Sequence, residues 1–202
     1  MGSEADFYEY RTKLRHYERA GPEARIQYIL RHYTSMQRIV GDYENKMKIA
    51  IQEEAAFNIR RSRGEPGERV QTGVWSDPTM EQAMRGLEID QTFQRGDIRT
   101  LLRHVDQPNQ HIQDWNIVKD MKFDCTQIRE ALHTLKPEEE DLFTDYLNGK
   151  RTVDSIADEY RIQYQSAKNK IARIRIKVIR SAAQTLMLRY GRNRREWLWD
   201  LK

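Results

Sequence analysis

Ile26, Tyr33, Val40 and Met47 recur every seven residues, and Ile29, Met36, Tyr43, Ala50 and Phe57 follow the same interval in a second register. Two interleaved seven-residue series are the a and d positions of a heptad pattern, which a helix brings onto one side. The chain is therefore expected to be all-α, with a long N-terminal helical, coiled-coil-like segment, central helices and a C-terminal helical domain. Such a seam has two uses. It can pack inside its own domain, or it can pair with a second copy. In the second case Ile26, Ile29, Tyr33, Met36, Val40, Tyr43 and Met47 form the interface of a homo-oligomer, most simply a dimer.

Composition agrees with helices. Of 202 residues, 38% are hydrophobic and 33% charged. That balance gives each helix one buried stripe and argues against a parallel sheet buried on both faces. Cys125 is the single cysteine, so neither an internal disulfide framework nor a cysteine-based metal cluster is available, and a packing role is expected for it. No apolar run approaches the roughly 18–20 residues that span a bilayer, so no membrane partner is expected.

Punctuation divides the chain. A first helix over 4–19 is broken by Gly21 and Pro22, and the heptad segment then runs from Glu23 to Arg61. Residues 62–75, rich in glycine, read as a loop. Ser76, Asp77, Pro78 and Thr79 restart a helix whose buried side is marked by Met80, Met84, Leu87 and Gln91. A short helix is expected between Ile98 and Val105, another over 110–122, and a third from Asp124 or Thr126 to Lys136. The expected domains are thus 1–61 for oligomerisation or packing, 62–75 as linker, 76–135 as a central helical region, and 136–202 as the functional domain.

Charge singles out that last domain. Between Pro137 and Tyr160 acids dominate, with Glu138, Glu139, Glu140, Asp141, Asp145, Asp154, Asp158 and Glu159 against Lys150 and Arg151. From Arg161 to Arg195 every charged side chain is Lys or Arg. A solvated helix face ordinarily mixes signs, so a one-sign block is the electrostatic footprint of a polyanion partner. The local pattern matches. Pro137 opens a helix with Leu142, Phe143, Tyr146 and Leu147 on its inner face, ended by Asn148 and Gly149. Thr152 caps a short helix carrying Val153, Ile156, Ala157 and Tyr160 inward. A turn at Arg161, Ile162 and Gln163 leads into a helix beginning at Tyr164, with Ala167, Ile171, Ile174 and Val178 facing in.

This is the plan of a helix-turn-helix, in which small residues such as Ala157 and Ala167 let two helices cross closely. Double-stranded DNA is the partner it implies. Gln163, Tyr164, Gln165, Ser166, Lys168, Asn169, Lys170 and Arg173 are the candidate contacts at the N-terminal end of the second helix. Arg175 and Lys177, farther along, are placed for phosphates.

Leu135–Val178 resembles the helix-turn-helix of region 4 in sigma-70-type factors. The match rests on Leu135, Pro137 and Glu138, then Ile156, Ala157, Ile162, Ser166 and Ala167. The whole layout, with Pro78 and Thr79 opening a helix after a Gly-rich loop, resembles the ArpU/RinA type of phage regulator from Gram-positive bacteria. That resemblance implies a sequence-specific activator of late phage genes, acting with host RNA polymerase in the bacterial cytoplasm. Arg161 stands where family members usually have glycine, so a slightly different turn is expected; residues 88–125 match no motif of the family.

Other chemistry is not in evidence. There is no Gly-rich phosphate loop, His104 and His111 lack metal-ligand spacing, and Ser166 has no neighbouring histidine. No cofactor, metal or enzymatic activity is expected. Two other roles fit a basic helix-turn-helix or its surroundings: a small-terminase-like packaging protein, and a protein-only adaptor of RNA polymerase. Packaging proteins of that kind usually carry the reader first, the reverse of the order here. Trp197 and Trp199, close to the C-terminus, are expected either to fold onto the core or to meet a partner.

Overall fold

A computed structural model describes residues 4–62, 87, 89, 91–93, 95 and 98–191. The protein is all-α, with no strand among the described residues. Its helices are α1 (Glu4–Arg19), α2 (Pro22–Arg31), α3 (Met36–Ser62), α4 (Pro108–His133), α5 (Pro137–Leu147), α6 (Val153–Tyr160) and α7 (Tyr164–Tyr190). Further helical residues lie within 87–95, and a 3-10 turn covers Arg99–Leu102. No helix of the described residues is long and apolar enough to cross a membrane. Ser62, expected to open the linker, ends α3 instead, while the rest of the expected linker at 63–75, the helix start at Ser76–Thr79, Met80, Met84 and the Trp197 and Trp199 tail lie outside the described residues.

The chain forms two compact units interleaved in sequence. One comprises Met1–Phe7 with Asp42–Asn116, the other Tyr8–Gly41 with Ile117–Lys202. This differs from the four consecutive domains expected, because α3 and α4 each contribute residues to both units. Periodicity within a helix carries no record of which unit a given turn joins.

Three local expectations are corrected. The heptad segment is not one helix: α2 ends at Arg31, and Tyr33–Ser35 form a 3-10 turn before α3 begins. Both the Ser35 N–H and its hydroxyl donate to the His32 carbonyl, at 3.0 and 3.2 Å. Short hydroxyl side chains compete in this way with the helical ladder. The seven-residue spacing simply continues across the break. Of the seam, Ile26, Ile29, Met36, Val40, Tyr43 and Met47 are buried in the single chain, Tyr33 is half-buried, and Phe57 is exposed. The first six are already covered and offer no free surface to a second copy.

The second correction concerns α4, one helix where two were expected. Asp124 is not a cap but a fully buried side chain, and the Thr126 hydroxyl donates back to the Lys122 carbonyl at 3.1 Å within a continuous helix. Thirdly, Leu87 and Gln91 are exposed, whereas Phe93 is buried and meets Trp115 edge-on with ring centroids 5.0 Å apart. That contact buries two large aromatic rings against each other.

Each unit contains a polar cluster. In the first, Glu54 accepts the backbone N–H groups of Asp106 and Gln107 at 2.7 and 3.3 Å, and its other oxygen lies 2.8 Å from His111 Nε2. These N–H groups immediately precede α4, so a glutamate from α3 supplies the acceptor that a local side chain would otherwise provide. Asn58 adds bonds to the His104 carbonyl and the Asp106 carboxylate. In the second unit, Asp124 accepts the hydroxyls of Tyr17 and Tyr190 at 2.7 and 2.9 Å. Arg25 lies 3.5 Å from the same carboxylate, stacks over both tyrosine rings, and donates to the Ala20 and Glu18 carbonyls. Four helices, α1, α2, α4 and α7, meet in this network. Burial pushes the Asp124 carboxyl above its ordinary range, against the pull of the Tyr17 bond, the Arg25 charge and the Tyr190 bond. The same burial and the carboxylate raise both tyrosines well above their usual values.

Candidate nucleic-acid interface

Two helices position α7. Both α5 and α6 pack against it in the second unit. Pro137 occupies the first turn of α5, where a missing N–H costs nothing, and Glu138, Glu139 and Glu140 complement the positive end of the helix. Leu142 and Phe143 are buried as expected. Asn148 and Gly149 end the helix: Gly149 has φ +71°, its N–H donates to the Tyr146 carbonyl, and the Lys150 N–H donates to the Asp145 carbonyl. This pair of bonds is a Schellman motif.

Helix α6 starts at a reciprocal cap. The Thr152 hydroxyl accepts the Ser155 N–H while Ser155 Oγ accepts the Thr152 N–H, at 3.2 and 2.9 Å. Ile156 and Ala157 are buried and Val153 is half-buried. Tyr160, expected inside, is 38% exposed instead, with Lys170 Nζ 3.3 Å from its ring centroid. Its hydroxyl-bearing ring thus has a cation over it in place of an apolar neighbour.

The turn repeats the geometry of the one before. The Arg161 N–H donates to the Asp158 carbonyl at 3.2 Å and the Ile162 N–H to the Ala157 carbonyl at 2.9 Å. That is again a Schellman motif, and Arg161 holds its left-handed position with φ 51° and ψ 45°. The arginine therefore takes the conformation that glycine supplies without strain. Ile162, half-buried, comes just after it.

Helix α7 begins at Tyr164, as expected, behind an extended Gln163. Ala167, Ile171, Ile174 and Val178 are buried as the pattern requires. Gln163, Tyr164, Gln165, Ser166, Lys168, Asn169, Arg173, Arg175 and Lys177 are exposed, and Lys170 is half-buried beside Tyr160. The helix brings Gln165, Lys168, Asn169 and Arg173 onto one side, since residues three and four apart are neighbours. Gln165 Nε2 donates to Asn169 Oδ1 at 3.1 Å, so the two amides present a joined edge. No ion pair among the described residues engages Lys168, Arg173, Arg175 or Arg180. Lys177 differs: its ammonium lies 2.7 and 2.9 Å from the two Glu139 oxygens, which ties it to α5.

Sequence patterning missed the second half of α7. Ala182, Ala183 and Leu186 are buried, α2 packs against this helix, and Tyr190 enters the Asp124 network. Arg189 bonds Asp120 at 3.2 Å and lies 3.8 Å from the Phe123 ring centroid. The signal was present in the four-residue steps Val178, Ala182, Leu186 and Tyr190. Cys125 is half-buried and its thiol is pushed up to about 11, mainly by burial. The surroundings thus disfavour the thiolate, the reactive form of the side chain. Among the described residues no group of three His, Cys, Asp or Glu could hold a metal ion.

Comparison with protein-family models, curated proteins and solved structures found no match.

Proposed function

We propose that the protein is a sequence-specific DNA-binding transcription regulator whose reader is α6, the Arg161 turn and the first half of α7. One observation carries this reading: the exposed side of α7 combines hydrogen-bonding amides at its N-terminal end with cations that no carboxylate of the described residues neutralises. Leaving several charges unpaired beside a helix start is of little use to folding, and it suits a phosphate-lined groove. Gln165 and Asn169 are the base-reading residues, with Lys168 and Arg173 beside them and Arg175 on phosphate. Activation of late phage genes with bacterial RNA polymerase extends the same proposal through the region-4 and ArpU/RinA resemblance. The unit that binds is taken as one chain, because the heptad residues expected at a dimer seam are covered.

Binding of the full-length protein to random-sequence duplex DNA across a salt series tests the reading. The affinity should fall steeply with salt, and Arg175→Ala should flatten the log–log slope by about one. Lys177→Ala should change it less, its charge being held by Glu139. Salt-independent binding, or none at low salt, rejects the proposal.

A further inference from the structure

The outward side of α7 is not wholly polar. Ile176 is 48% exposed, and Ala172, one turn before it, is also exposed. Both lie on the side that carries Gln165 and Asn169, since 165, 169, 172 and 176 are successive steps of three or four. Arg173 and Arg175, about 80° to one side and about 80° to the other, flank them without an ion-pair partner among the described residues. An isoleucine at the centre of a cationic, solvent-facing stripe gains nothing from water, and neither α5 nor α6 covers it fully.

In the major groove one base edge alone carries an apolar group, the C5 methyl of thymine. Resting on the DNA-binding reading above, we infer that Ile176, with Ala172, packs on a thymine methyl and so fixes an A·T pair that the amides do not read. Ala172 and Ile176 lie three and seven residues beyond Asn169, about 4.5 and about 10.5 Å along the helix axis. For a helix running along the groove that places the thymine within about three base pairs of the base met by Asn169, at about 3.4 Å per pair. The flanking arginines then meet the phosphates on either side, so charge complementarity and the apolar contact point to the same occupant.

The experiment begins with selection by the full-length protein from a duplex pool carrying a randomised stretch. The selected duplex is then resynthesised with uracil replacing each thymine singly, which removes only the methyl. One or two of these replacements should weaken wild-type binding by about three- to fivefold, the effect of one buried methyl. The same duplexes should leave Ile176→Ala almost unaffected, while Ile176→Val keeps most of the sensitivity. Thermal unfolding of both variants should match the wild type, because the side chain is half in solvent. If the wild type is indifferent to every uracil, or Ile176→Ala is equally sensitive, the methyl contact is wrong. In that event a loss of specific binding in Gln165→Ala still upholds the DNA reading. If no sequence is selected at all, both fall together.

Discussion

The two halves of α7 belong to one helix and share a side, yet they do opposite things. Gln165 and Ala183 are separated by five full turns at 3.6 residues per turn, so they project in the same direction. Gln165 is exposed, whereas Ala183 is 4% exposed. Charge divides the same way except at Lys177, which Glu139 holds. Lys168, Arg173 and Arg175 stand without an ion pair among the described residues, but Arg189 is bonded to Asp120 and Tyr190 to Asp124. A polar group whose bonds are all made within the chain serves the fold; one left facing water on an ordered helix is available to a ligand. On that criterion the proposed reader ends near Arg180 and the anchor begins at Ala182.

The largest expected effect lies in the anchor. Asp124→Ala leaves Arg25 buried without its carboxylate and two tyrosine hydroxyls without their acceptor. Removing one partner of a buried pair typically costs about 3–5 kcal/mol. Denaturant unfolding followed by circular dichroism should register a loss of that order; a change below about 1 kcal/mol would mean that the network is solvated and that the two halves of α7 are less different than described.

Alkaline pH probes the same anchor. Tyr17 and Tyr190 have folded values raised well above their usual one near 10, so the unfolded chain gives up its phenolic protons first. The stability these groups contribute is present below about pH 10 and is lost as pH rises above it. Cys125, raised to about 11, adds a smaller loss beginning near pH 9. Unfolding free energy measured from pH 8 to 11 should therefore fall, and Tyr190→Phe should reduce the slope. A flat profile in the wild type would contradict the burial of these hydroxyls.

In the proposed reader the expected effects move from stability to recognition. Gln165→Ala and Asn169→Ala should each cost roughly 1–3 kcal/mol at a selected site and leave melting unchanged. Because the two amides bond each other, the double variant should cost less than the sum of the singles. Equal losses on selected and random duplexes would remove the base-reading role.

The smallest effect belongs to the turn. Gly149 and Arg161 close successive Schellman motifs with positive φ, but only the first is glycine. Arg161→Gly should raise stability by up to about 1 kcal/mol, the strain of a side chain in the left-handed region less the entropy glycine loses on folding. Its DNA affinity should stay within about twofold unless the Arg161 charge itself meets phosphate, which the salt slope would reveal.

Much of the candidate site was legible in the linear sequence because its determinants are local. Pro137 at a first turn, Gly149 at a left-handed stop, Thr152 at a cap and the steps from Ala167 to Val178 act between residues a few positions apart, and each occurs where expected. The all-α class followed from periodicity for the same reason. What tertiary structure alone decided involves partners far along the chain. The seven-residue spacing could not say whether Val40 meets its own chain or another, and it passed unchanged through the break at Tyr33–Ser35. Asp124 read as a helix start because an aspartate is more often a cap than a core residue. Only its meeting with Tyr17, Arg25 and Tyr190, up to 107 residues away, makes its burial tolerable. Tyr160 is exposed with Lys170 over its ring, a contact no stripe of apolar positions encodes. Local backbone preferences and helical period are written in neighbouring residues; which buried polar group finds its partner is settled only when distant helices are brought together.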